Sequence, residues 1–197
     1  MSVKGIRVVL VHEDGNRPED WITLLAGLCD GVEPQMLAAG DADEETLRGL
    51  NPHRIVAVAP LDKAIYPALM ETIPILTGAA ALESFVEAFG GRIIPVSAEP
   101  DHYLMHDGVG VWTGFTEPLE VEGYPSFALD QSELPPELVV TAWNDEKVAL
   151  ALSHRLMPLV ALNIHPNDLG EKHSRNLMYA FLEGRYLTGA PIGPPEI

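Results

Sequence analysis

Cysteine is nearly absent: Cys29 is the only one in 197 residues, so no intramolecular disulfide and no cysteine-based zinc site can form. It stands in "LLAGLCDG", on what reads as the apolar face of a helix, as a small buried hydrophobe. Positive charge is scarce too. Lys and Arg number 12 against 29 Asp and Glu, a formal net charge of -17 at pH 7. Such a surface repels phosphate backbones and anionic lipid, which argues against nucleic acid and against a membrane surface as partners. No run approaches the roughly 20 apolar residues of a membrane span. The opening "MSVKGIRVVLVHEDG" has too short an apolar run, and no small-residue cleavage site, for a secretion signal. A cytoplasmic location is the expectation.

What is present is an ordinary globular mixture, 47% hydrophobic and 21% charged, in a length that suits one domain. "IRVVLV" (Ile6 to Val11) is a continuous β-branched run, the mark of a strand covered on both faces. A polar loop and a helix from about Glu19 to Cys29 follow, with Trp21, Leu24, Leu25 and Leu28 on the inner stripe. "VEPQML" is a weak strand and "DADEETLRGL" an acid-started short helix. "RIVAVAP", "IPIL", a helix Ala79–Phe89 and "RIIPV" continue the alternation, which calls for a parallel sheet with helices on both faces. After Val96 short strands between Gly and Pro take over: "GVGVWTGF", "PLEVEG", "YPSFAL", "ELVVTAW", "KVALALSH" and "PLVALNI". They read as an antiparallel extension. A helix from Asp168 to Gly184 closes the domain, Leu177, Met178, Phe181 and Leu182 facing inward. Residues 1–187 are expected to form a single domain, and the Gly- and Pro-rich 188–197 a flexible tail.

The order of several segments resembles that of class I glutamine amidotransferases, closest to the small subunits of anthranilate synthase and aminodeoxychorismate synthase. The segments are "IPIL" with "AFGGR", "HDGVGVWTGF", "LPPELVVTAWNDE" and "NIHPNDLGEKHSRNLMYAFL". The resemblance implies a flavodoxin-like α/β fold and, in the family, hydrolysis of glutamine's side-chain amide by a Cys, His and Glu, with backbone amides holding the oxyanion. Gapless alignment puts the family's nucleophilic cysteine at Ala79, its histidine at His165 and its orienting glutamate at Asn167. Alanine has no lone pair with which to attack a carbonyl, and asparagine carries no charge to stabilise an imidazolium. The glycine-rich oxyanion loop falls on "APLD", with Leu61 and Asp62 in place of glycines. The family's YHS segment, which lines the glutamine pocket, reads Tyr124-Pro125-Ser126.

Other candidates are weaker. His102 and His106, with Asp101 and Asp107 adjacent, have a metal-like spacing, but a solvated polar loop suits a strand-to-loop context better. His12, Glu13, Asp14 and Arg17 lie beyond the carboxyl end of the first strand, where α/β sheets bind ligands, although a polar loop capping a helix explains them better. His53, His154 and His173 have no evident partners in the sequence. No cofactor and no metal is expected. The leading expectation is an inactive amidotransferase-like subunit whose partner, by the resemblance, is a large chorismate-using synthase subunit. The alternatives are a repurposed hydrolase using His165, or a small-molecule-binding module in the vacated glutamine pocket. Homodimerisation is compatible with all of them.

Overall fold

The first apolar run forms a strand, β1 (Val8–His12), and its alternation sets the architecture. Val8 and Leu10 point into one core, Val9 and Val11 into another on the opposite face. The structure is a computed structural model that describes residues 5–13, 18–28, 34–95, 102–116, 118–122, 127–129 and 133–186. Helix α1 (Pro18–Ala26) leads to β2 (Gln35–Ala38), α2 (Glu44–Gly49), β3 (Arg54–Ala57) and α3 (Ile65–Leu69). Next come β4 (Ile75–Thr77), α4 (Leu82–Ala88), β5 (Ile93–Pro95), β6 (His102–His106), β7 (Leu119–Val121) and β8 (Phe127–Leu129). The chain then forms a run of longer strands, β9 (Leu138–Asn144), β10 (Ala149–His154) and β11 (Leu159–Leu162), before helix α5 (Gly170–Glu183).

A 9-stranded sheet runs in the order β2-β1-β3-β4-β11-β10-β9-β6-β7, with β5 and β8 paired separately. The half from β2 to β11 is parallel and the half from β10 to β7 antiparallel. This is the expected α/β fold with its antiparallel extension. Both faces of the parallel half are covered. Trp21, Leu24 and Leu25 of α1 pack with Leu177, Met178 and Phe181 of α5 over Leu10, Val56, Leu76 and Val160. Leu47 of α2, Tyr66 and Leu69 of α3, and Phe85 and Val86 of α4 cover Val9, Ile55, Ile75 and Ala161 on the other face. Arg54 fastens the end of α5, donating to the carbonyls of Phe181 at 3.4 Å and Leu182 at 3.1 Å. A guanidinium suits those carbonyls because a helix leaves its last ones unpaired.

Three expectations need correction. "GVGVWTGF" is no strand: Gly108, Gly110 and Gly114 have φ of 71°, 58° and 88°. Left-handed glycines turn the chain through a 3-10 turn at Gly110–Trp112 and bury Trp112. "RIIPV" and "PLVALNI" change places: β5 leaves the parallel alternation to pair antiparallel with β8, while β11 lies parallel to β4 inside the parallel half. The stretch ending at His106 is no solvated loop either. His106 is 6% exposed, stacks on Trp112 with centroids 5.6 Å apart and accepts the Gly108 N–H on Nδ1 at 3.0 Å. Among the described residues no group of three or more His, Cys, Asp or Glu side chains is arranged to hold a metal ion.

His154, another histidine whose sequence neighbours suggested nothing, holds the β10–β11 turn. Its Nδ1 accepts the N–H groups of Leu156 at 3.1 Å and Met157 at 3.0 Å. Burial holds its pKa below the ordinary histidine value, with Glu137 opposing the shift. A depressed histidine contributes its stability in full above the unfolded-state value near pH 6.5, and loses it as pH falls through the lower folded value. The urea midpoint should therefore fall between about pH 7 and pH 5, above the range where ordinary carboxylates titrate. His154→Asn, which keeps an acceptor without a titrating ring, should flatten that slope. An unchanged slope would remove His154 as its cause.

Candidate functional site

The carboxyl ends of β1, β3, β4 and β11 lie side by side at one end of the sheet. β1 there has β2 on one flank and β3 on the other, so the connections leave in opposite directions and open a crevice. β4 leaves the sheet through Gly78, whose N–H donates to the Ala57 carbonyl at 2.8 Å. The backbone then tightens into a 3-10 turn, Ala79–Ala81, before α4 begins at Leu82. The helix expected from Ala79 thus starts one turn late. Ala79 is half-buried at the apex, Ala80 exposed and Ala81 buried. Beneath the turn, Ser84 Oγ donates to the Ala81 carbonyl at 2.9 Å and lies 3.3 Å from the Tyr66 hydroxyl. Burial pushes the Tyr66 pKa up, against the hydroxyls of Ser84 and Thr77, which pull it down. This cluster braces the turn from inside.

His165 follows β11, the strand beside β4. It is the N-cap of a short 3-10 turn, Pro166–Leu169, with a reciprocal cap: its Nδ1 accepts the Asn167 N–H at 3.2 Å, and Asp168 Oδ2 accepts the His165 N–H at 3.0 Å. A ring nitrogen that accepts an amide proton is unprotonated, so the neutral imidazole carries its proton on Nε2. The Nε2 atom is shielded from solvent. The ring meets the Trp21 edge at 5.0 Å and 72°. The same tryptophan lies over the elbow glycine, where a Cβ on Gly78 would stand 3.2 Å from it. Trp21 is thus wedged between the elbow and His165. It is the Asn167 backbone N–H that meets Nδ1, and the Asn167 side chain has no charge to offer the ring. That side chain instead lines a hollow of about 330 Å³ between α1 and α5, with Asp20, Glu171 and Arg175.

The remaining candidates are placed as follows. Leu61 is 3% exposed and belongs to the core beneath α3 and α4. Asp62 is exposed, and its Oδ1 accepts the Ala64 N–H at 2.9 Å, opening the turn into α3. Neither side chain leaves the space that a glycine there would. His12 ends β1 half-buried, beside the loop after β3. Asn163, at the end of β11, donates to the carbonyls of Ala149 and Phe127 and so ties β8 to the sheet. Arg17, Tyr124 and Ser126 lie outside the described residues, as do Cys29, Asp14 and Asp101. Sequence reasoning missed Trp21 as a site residue, since its helical stripe marks it only as core. It also missed Asp168, although a carboxylate three residues after a cap position is a legible capping signature.

Chemically, the crest offers a methyl group at the apex of the elbow, an imidazole with its acceptor nitrogen already engaged, and a leucine and an aspartate in the loop after β3. Nothing in that set forms a nucleophile–base pair.

No family model matches the chain. In sequence it is 32% identical over 161 residues to aminodeoxychorismate synthase of Streptomyces griseus, an alignment covering 79% of this chain and 20% of that protein. The chain therefore spans about a fifth of that relative's length. It is 26% identical over 167 residues to anthranilate synthase component 2 of Methanothermobacter marburgensis, covering 78% of this chain and 84% of that one. In structure it is similar to the glutamine amidotransferase of Methylobacillus flagellatus, with a TM-score of 0.69 and 11% identity over 95% of this chain and 98% of the other.

Proposed function

From the premise that the chain is a homologue of the small glutamine amidotransferase subunits of anthranilate and aminodeoxychorismate synthases, with the class I amidotransferase fold, we propose that it is a catalytically inactive subunit. Its role is to bind a large chorismate-using synthase subunit in the cytoplasm, and to stabilise or regulate it. The observation that carries this reading is Ala79 at the apex of the β4 elbow, where an acyl-transfer enzyme needs a sulfur or hydroxyl. The engaged Nδ1 of His165 supports it, as do the buried Leu61 and the turn-forming Asp62, which the resemblance aligns with glycines of the family's oxyanion loop. A subunit that keeps its buried frame after losing its chemistry still presents a surface, and surface is what a partner reads.

Such a partner draws its ammonia from solution or performs chemistry that needs none. The test is to tag the chain at its chromosomal locus, purify it from its own cells, and measure the thermal stability of what accompanies it. The expected result is a chorismate-using large subunit whose unfolding temperature drops when this chain is removed, since binding to the native state alone stabilises it by mass action. Recovery of the chain by itself, with no such subunit, would overturn the reading.

A further inference from the structure

A second hollow lies at the β7 edge of the sheet. It is a groove of about 800 Å³ along β7, lined by Tyr103, Glu120, Glu122, Asp168, Gly170 and His173 among others. β7 is the last strand of the sheet, with β6 on one side and no described strand on the other. Its chain end shows which backbone groups face outward. The Glu122 N–H donates to the Asp168 carbonyl at 3.0 Å, away from β6. Alternate residues of a strand direct their N–H and C=O to the same edge, so Glu120 presents its amide and carbonyl to the groove. On the strand's exposed face, Glu120 pairs across with Tyr103, which is 49% exposed.

We infer that this groove takes an extended, basic peptide segment of a protein partner, which adds to β7 as a new edge strand. Main-chain hydrogen bonds to Glu120 supply the register, and Tyr103 and the carboxylates receive alternate side chains. Charge selects the occupant. Among the described residues the lining carries Glu120, Glu122 and Asp168, the last with one carboxylate oxygen on the His165 N–H, one histidine and no Lys or Arg. A second copy of the chain, added edge to edge, would set glutamates against glutamates, which destabilises a pair of strands. The chain's own end, "LTGAPIGPPEI", has prolines that cannot donate to a ladder and an acid where a base is wanted. The inference concerns a surface only and holds whether or not the elbow is inert.

The test titrates the full chain with a short, blocked peptide alternating lysine and valine, followed by fluorescence anisotropy and by amide hydrogen exchange. The same peptide with glutamate for lysine, and one N-methylated at alternate residues, serve as controls. Expected are saturable binding of the basic peptide below about 1 mM, weakening with salt, and new exchange protection at the Glu120 amide. Glu120→Lys with Glu122→Lys should weaken binding about tenfold or more. Both side chains are exposed, so an unchanged unfolding temperature will show that the fold is intact. Equal binding of the N-methylated peptide would mean adsorption to an acidic surface, and would overturn the inference. So would equal binding of the acidic peptide, or no saturable binding at all.

Discussion

Replacing Ala79 by cysteine is expected to leave ammonia release from L-glutamine at background, the same as for the wild-type chain. The substitution places a nucleophilic atom at the half-buried apex of the elbow, but supplies no group to take its proton. His165 accepts the Asn167 N–H on Nδ1, so its neutral form presents a protonated Nε2 rather than a lone pair. A histidine held in the wrong tautomer costs a hydrolase on the order of 10⁴ in rate. Each missing oxyanion donor costs about 10² to 10³ more, and the loop after β3 buries Leu61 and commits Asp62 to the start of α3. Together these losses exceed the dynamic range of a coupled ammonia assay. Release by Ala79→Cys alone would show that the rest of the machinery is intact and that one sulfur atom separates the chain from an active glutaminase. Release by the rigorously purified wild-type protein would end the inactive reading.

The second large effect is on stability. Trp21→Ala should lower the unfolding free energy by about 3 to 5 kcal/mol, the usual range for deleting a buried large aromatic. Against a total of about 5 to 15 kcal/mol for a typical domain, that is a heavy loss. Trp21 is 2% exposed, and its ring closes the space between Gly78 and His165. Removing it leaves a cavity walled on one side by the rigid elbow turn, which cannot collapse inward because Tyr66, Ser84 and Ala81 brace it from below. Trp21→Phe, which keeps most of the ring volume, should cost much less. Urea unfolding of the three proteins measures both differences, and a loss below about 1 kcal/mol for the alanine variant would mean that the crest repacks freely.

Much of the fold was legible because burial on two faces leaves a plain mark. "VVLV", "RIVA" and "IPIL" are strands whose every residue is apolar or nearly so, and only a covered parallel sheet requires that. The acid-started helix came out as α2, with Asp43 capping it through the Thr46 N–H at 2.7 Å. The failures have a common cause. "GVGVWTGF" alternates like a strand, but its glycines adopt a backbone that the alternation cannot reveal, and Trp112 is held inward by a distant strand, its Nε1 donating to Thr141 Oγ1 of β9 at 3.3 Å. The His106 stretch read as a polar loop, and His154 as a residue without evident partners, because both rings hold backbone amides, which every residue but proline possesses. Composition carries no trace of such bonds.

By itself the sequence determined the identity of the side chain at the elbow, the strand and helix order around it, and the excess of acid over base. Those are properties of residue type and local order, and no folding event alters them. Only the tertiary structure decided what His165 is engaged in, that Trp21 occupies the space before it, and that β7 is the last described strand of its sheet. Each of those depends on which groups from distant segments come within hydrogen-bonding or van der Waals reach, and the chain fixes such distances only when it folds.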